Sequence, residues 1–230
     1  MLTLGFDTSN YTTSVAAFDG VGGKNCSRLL DVKPGELGLR QSDALFAHIK
    51  RLPELVDALC ASVNIGNVTA IGVSTRPRAV EGSYMPCFLA GWSQASCLAK
   101  ILNVPLYEFS HQQGHIAAAA LSAGKLDLLD GEFLAWHLSG GTSELLHVKC
   151  GADGLPDCTC IGGTTDLAAG QLLDRAGALL ELPFPSGAAL DELALTAEPQ
   201  KGFRPRVTDC RFSLSGMQNQ VENKFKTEKP

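Results

Sequence analysis

The sequence predicts an α/β protein made of two similar halves, the second of them incomplete. Three observations carry this. Short apolar runs of strand character alternate with longer stretches of helical spacing. Two segments 130 residues apart, LGFDTSNYTTSVAAF (4–18) and LAWHLSGGTSELLHV (134–148), share one pattern: an apolar strand, a hydroxyl- or glycine-rich turn and a second apolar strand. Only Leu4/Leu134, Ser9/Ser139 and Thr12/Thr142 coincide by identity, so the repeat is one of pattern. The 24 glycines among 230 residues also suit a fold rich in tight turns and close backbone approaches.

LTLGFD (2–7) is a strand ending in an acid, SNYT a turn and TSVAAF (13–18) a second strand. Residues 20–40 read as a loop around a third strand. DALFAHIKRLPELVDALCASV (43–63) has helical spacing, with Pro53 as a kink or break. TAIGVST (69–75) is a buried strand, RPRAVEGSYMP a loop, and CFLAGWSQASCLAKIL (87–102) a helix with small residues on one side. VPLYEF (104–109) is a strand, and HQQGHIAAAALSAG opens a helix. EFLAWHL (132–138) and SELLHV (143–148) flank the turn SGGT. TDLAAGQLLDRAGALLEL (165–182) is a long helix, PFPSG breaks it, and AALDELAL starts another; the remainder has little apolar periodicity. The lobes are expected at 1–124 and 125–230. Phosphate-binding folds of the actin/hexokinase type are built this way, with two such turns facing one nucleotide.

A hydrophobic content of 45% with 19% charged residues describes a soluble globular protein. The net charge of −5 argues against a surface given over wholly to nucleic acid, although a local patch or a partner can still supply one. Lys224, Lys226 and Lys229 read as a solvated end. No leader-like or membrane-spanning run is present, which points to the cytoplasm and away from membranes. The eight cysteines read as reduced thiols, and Cys158 and Cys160 stand closer together than a zinc C-x-x-C.

Several residues have the chemistry of a site. His111 and His115 stand four apart, so on a helix they share a face and can converge on one ion. No glutamate follows the first histidine, which excludes the H-E-x-x-H general base of zinc proteases. His137 ends a strand beside Ser139-Gly140-Gly141 and is a candidate third metal ligand from another element. Glycines there let backbone N–H groups approach phosphate, and the hydroxyls add donors. Asp7, before Thr8-Ser9, could orient a water or a metal, or simply form the turn. Asp166 suits a helix N-terminus. Asp166, Asp174 and Asp191 are carboxylates that could accept ribose hydroxyls, or else lie on a solvated face or cap a helix.

Taken in order, LGFDTSNYTTSVA, LRQSDALFAHIKRLPELV, SHQQGH, FLAWHLSGGTSEL, DLAAGQLLDRAGALLELPFPSGAALDELA and FSLSGMQNQ resemble the tRNA threonylcarbamoyladenosine transferase family, formerly called glycoproteases. The resemblance implies an actin/hexokinase-like, ribonuclease H-like duplicated fold. It implies one divalent metal, iron or zinc, per subunit at His111 and His115, with His137 where some members place a metal-touching tyrosine. It implies that His137, Leu138, Ser139, Gly140 and Gly141 lie along an adenine nucleotide or threonylcarbamoyl-adenylate, that Asp174 contacts the ribose, and that Gly187 and Asp191 complete that side. The implied reaction moves a threonylcarbamoyl group to an adenosine beside the tRNA anticodon, with ATPase-like partner subunits and tRNA as acceptor. The alternatives are a non-catalytic ATPase-like scaffold and, least favoured, a metallopeptidase.

The sequence departs from the family pattern in three places. Tyr11 and Thr12 stand where the family carries two acids. Arg76 and Arg78, in RPRAVEGSYMP, replace a Gly-Pro-Gly loop. The family also continues past FSLSGMQNQ into a segment holding an asparagine and an aspartate, so the chain is expected to be a fragment of a longer protein.

Overall fold

The computed structural model describes residues 1–9, 11–31, 39–198 and 201–227, in two compact units. The first comprises Met1–Leu129 and Gly151–Asp157. Its sheet holds β1 (Leu2–Asp7), β2 (Thr12–Phe18), β3 (Gly23–Leu29), β4 (Val68–Arg76) and β5 (Leu106–Ser110) in the order β3-β2-β1-β4-β5. β1, β2 and β3 are antiparallel neighbours, while β4 and β5 run parallel to β1. The direction changes because short turns link the first three strands, whereas parallel strands need long crossovers. Those crossovers are α1 (Gln41–Ser62) and α2 (Phe88–Leu102), and α3 (His111–Ser122) follows β5 directly. Three antiparallel strands continued by two parallel ones form the ribonuclease H-like lobe.

The core of this unit joins Leu4, Phe6, Val15, Ile71 and Val73 of the sheet to Leu52, Leu55 and Leu59 of α1 and to the alanines of α2. The small face of α2 permits close approach. Gly91 N–H donates to the Thr8 hydroxyl at 3.1 Å, and a β-carbon at Gly91 would lie 3.0 Å from that oxygen. Thr8 in turn donates to the Cys87 carbonyl at 2.9 Å, so a buried hydroxyl fixes the β1–β2 turn against α2. Pro53, expected to kink or break its helix, does not break it: α1 runs through it. Pro53 is exposed, and buried Leu52 and Leu55 hold the turn around it against the sheet.

The second unit comprises Asp130–Cys150 and Cys158–Pro230. Its sheet has the order β6-β7-β8-β10-β9, from β6 (Glu132–Leu138), β7 (Ser143–Cys150), β8 (Pro156–Thr164), β9 (Val207–Thr208) and β10 (Arg211–Phe212). The β6–β7 hairpin is antiparallel, as is β1–β2. β1, however, has a neighbour on both sides, whereas β6 is the end strand of its sheet among the described residues. Leu134, Trp136 and Leu138 on β6 are 61%, 52% and 57% exposed, so one face of this strand is uncovered.

The helices of this unit are α4 (Ala169–Leu179), α5 (Gly187–Thr196) and α6 (Ser215–Thr227). α4 is shorter than the 165–182 expected. Asp166 is not its cap: its carboxylate accepts the N–H groups of Leu167 and Leu214 and the hydroxyls of Ser213 and Ser215, tying the approach to α4 to the start of α6. At the other end Glu181 is left-handed, at φ 58°, and stops the helix. β8 and α6 were not expected. Lys224 and Lys226 lie in the last turn of α6, where cations favour the helix C-terminus; Lys229 lies outside the described residues. All eight cysteines are free thiols. No described helix is long and apolar enough to cross a membrane.

Candidate active site

α3 starts sharply because Ser110 and Gln113 form a reciprocal capping box. The Ser110 hydroxyl accepts Gln113 N–H at 3.2 Å, and Gln113 Oε1 accepts Ser110 N–H at 2.7 Å. This presents His111 and His115 on one face, with their Nε2 atoms 2.8 Å apart. Phe88 packs edge-on to His111, with ring centroids 6.4 Å apart.

Asp7, at the end of β1, controls His111. Its Oδ2 accepts His111 Nδ1–H at 2.8 Å and the Ser74 hydroxyl at 2.6 Å, and its Oδ1 accepts Ser9 N–H at 2.8 Å. With Nδ1 donating to the carboxylate, the Nε2 lone pair of His111 faces His115 and the Ser9 hydroxyl, 3.4 Å away. This is the carboxylate–histidine arrangement that orients metal-binding imidazoles. Burial raises the Asp7 pKa, but the hydrogen bond and charge of His111, then Ser74 and Ser9, outweigh it and hold the carboxyl down at about 2.

The two nitrogens fit a divalent metal as a partial ligand set. Nitrogens bound at about 2.0–2.1 Å to a tetrahedral ion stand about 3.3 Å apart, so the rings need part by only about half an ångström from their 2.8 Å separation. Among the described residues, no group of three or more His, Cys, Asp or Glu side chains could hold a metal. The pair therefore leaves most of a metal's coordination positions to water, substrate or further ligands. A cavity of about 660 Å³ opens beside it, lined also by Asp7, Ser9, Tyr11 and Thr12. Tyr11 and Thr12 add no charge to this wall, whose carboxylate is Asp7.

In the second unit, His137 lies on β6 opposite Glu144 of β7, with Nδ1 4.0 Å from Oε2. Leu138 ends β6, and the turn Ser139-Gly140-Gly141 follows. The turn is partly closed on itself, because the Ser139 hydroxyl accepts the N–H groups of Gly141 at 3.2 Å and Thr142 at 2.9 Å. Of the expected backbone donors, two are thus engaged. α4 is fixed onto the turn: Gly170 N–H donates to the Ser139 carbonyl at 3.2 Å, and Ala169 N–H to the Ser143 hydroxyl at 2.7 Å. Only a glycine fits here, since a β-carbon at Gly170 would lie 2.7 Å from Gly140 Cα. One helical turn on, Asp174 Oδ1 accepts Ser186 N–H at 2.8 Å and so anchors the PFPSG break. Gly187 opens α5, and Asp191 lies one turn further along it.

The structure therefore brings Asp7, His111 and His115 together in one unit, and strings the SGGT turn, Asp174 and Gly187 along α4 and α5 in the other. Sequence reading missed Ser74, Ser143 and Gly170. A polar residue inside the apolar strand AIGVST was a usable signal for Ser74, because a buried hydroxyl needs a partner.

Residues 36–229 match the family model described as tRNA N6-adenosine threonylcarbamoyltransferase. The chain belongs to this family. Threonylcarbamoyltransferases of Neisseria meningitidis and Nitrosomonas europaea are each 31% identical to it, over 230 residues (96% of this chain, 62% of the relative) and 226 residues (94% and 64%). That of Rhizobium etli is 30% identical over 234 residues, 96% of this chain and 60% of the relative. The chain thus spans about three-fifths of the length of these threonylcarbamoyltransferases. Among solved structures, YeaZ from Pseudomonas aeruginosa is 17% identical with a TM-score of 0.44, covering 69% of this chain and 66% of that one.

Proposed function

We propose that this chain carries the metal-binding and nucleotide-binding elements of a threonylcarbamoyl transferase that modifies adenosine beside the tRNA anticodon. The observation that carries the reading is the Asp7–His111–His115 chain of hydrogen bonds, an oriented imidazole pair beside an open cavity in a member of this family. His111 and His115 would hold one divalent metal, iron or zinc. The metal supplies Lewis acidity toward an acyl or phosphoryl oxygen. Asp7 fixes the orientation of His111, and Ser74 and Ser9 fix Asp7.

The Ser139–Gly141 turn would lie along the phosphate of an adenine nucleotide or a threonylcarbamoyl-adenylate. Gly140 N–H and the Thr142 hydroxyl are the groups of the turn left to face it, because Ser139 already holds two of the turn's amides and the first two amides of α4 are engaged by Ser143 and Ser139. Asp174 would accept ribose hydroxyls with the oxygen not used by Ser186, and Gly187 and Asp191 would border that end. No nucleophilic side chain is required, since the acceptor amine itself would attack the carbamoyl carbon of the adenylate, the bond from that carbon to the phosphate oxygen would break, and AMP would leave as the amine gives up a proton. ATPase-like partner subunits and a cytoplasmic location belong to the same reading.

Metal content and nucleotide titration test it. The full chain, reconstituted with ferrous iron or zinc and desalted, should retain about one equivalent, and the His111→Ala and His115→Ala variants should lose it. AMP should bind saturably to the parent and more weakly to Asp174→Ala. Retention of metal by both histidine variants, or no saturable AMP binding, rejects the reading.

A further inference from the structure

We infer that the loop after β4 and the exposed face of α2 form a docking site for an unstacked nucleobase of single-stranded RNA. The inference deepens the proposed function by giving the acceptor a place, and it rests on that reading for its biological role.

The loop that carries Arg76 and Arg78 is held rather than free. Pro77 O accepts Gln112 N–H of α3 at 3.0 Å, and Arg78 N–H donates to the Ser83 hydroxyl at 3.0 Å. This brings Tyr84 and Met85 over α2. Together with Thr75, Phe88, Leu89 and Trp92 they line a cavity of about 170 Å³. An enclosed apolar cavity of about 150 Å³ accepts benzene, so this open one admits the leading ring of a base. Its walls are of the right kind, for they include the aromatic residues Tyr84 and Trp92, which are 63% and 41% exposed. Trp92 is also held in orientation, its indole N–H donating to Glu108 at 2.8 Å. A fixed aromatic plane beside a second exposed ring is how proteins stack unpaired bases without reading their sequence.

Two cations stand beside these rings. Arg76 is half-buried at the end of β4, paired in register with Ser110, the residue before His111, and its guanidinium has no ion-pair partner among the described residues. Arg78 follows two residues on. Glu81 on the same loop and Glu108 under Trp92 offset both cations. The surface is therefore near neutral, and ring stacking has to supply most of the affinity. The cavity lies close to the histidine pair, because Phe88 lines it on one side and packs edge-on against His111 on the other.

Tryptophan fluorescence offers a direct test. The chain has two tryptophans, Trp92 and Trp136. In a Trp136→Phe background, a short oligoadenylate should quench Trp92 saturably, and the same strand annealed to oligouridylate should not. Tyr84→Ala should weaken oligoadenylate binding by about 5- to 150-fold, the range for one stacked base. Arg76→Gln should lower the salt slope of binding by about 0.7, one single-strand phosphate contact's worth. Both positions are accessible, and circular dichroism verifies that the variants fold.

Equal binding of strand and duplex, or strand binding indifferent to Tyr84→Ala, overturns the inference. So does failure to bind RNA by a chain whose self-association Tyr84→Ala abolishes, which would make this face a protein interface. The histidine variants keep the two readings apart. If oligoadenylate still quenches Trp92 while no metal or AMP binds, the base site stands and the proposed transferase centre falls; the reverse result does the opposite.

Discussion

Replacing Gly170 with alanine tests the link between the second unit's packing and its proposed nucleotide site. The added methyl would lie 2.7 Å from Gly140 Cα, 2.8 Å from Ser139 O and 2.9 Å from Gly140 N. Comfortable carbon–carbon separations are about 3.5–4.0 Å, so the turn or the helix must give by about 1 Å. All three neighbours are backbone, so no flexible side chain can swing aside. Overpacking of this kind costs about 1–3 kcal/mol, and the better helix propensity of alanine returns at most about 1 kcal/mol. The net loss of up to about 2 kcal/mol should lower Tm by some 2–8 °C, read by thermal melting. AMP affinity should fall at least tenfold, because displacements near 1 Å are costly at positioned sites. Gly187→Ala is the control: nothing lies within 4 Å of the added methyl, so Tm should hold or rise. A Gly170→Ala protein with unchanged Tm and unchanged AMP affinity would refute the claim that α4 is seated on this turn.

Asp7→Ala should lower metal affinity about 10- to 100-fold by freeing the His111 ring, measured by competition with a chelating dye. Thr13→Val should cost about 1–3 kcal/mol in urea melts, because Thr13 Oγ1 and His48 Nδ1 are 2.8 Å apart and both residues are fully buried. Acid melts should expose Asp166. Desolvation raises its pKa, but the hydroxyls of Ser213 and Ser215 and the amides of Leu167 and Leu214 hold it well below the usual carboxylate range. Its stabilisation is therefore complete above about pH 4, the unfolded value, and is lost as pH falls further; Asp166→Asn should flatten that acid limb.

Most of the first unit was legible in the sequence. The strand at 69–75 and the helix at 87–102 were placed to within a residue at each end, at 68–76 and 88–102, because their apolar residues recur at the period of the element they form. Pro53 does not end α1, and it stands on the exposed side of the helix, which the sequence alone does not mark. β8 escaped because PDCTCIGGT owes its extended form to its sheet neighbours β7 and β10 rather than to an alternating pattern. The histidine pair was legible from spacing alone. The role of Asp7 was not, because it depends on β1 ending 104 residues upstream of His111 yet within 2.8 Å of it.

The uncovered end strand has a practical consequence. Among the described residues β6 has a sheet neighbour on one side only, carries the exposed Leu134, Trp136 and Leu138, and has no proline or lysine in EFLAWHL to deter pairing. Such a strand is a template for any extended chain that meets it. Solubility in expression should therefore hinge on this one segment, and a lysine at Leu134 should improve yield more than any change to the well-packed first sheet.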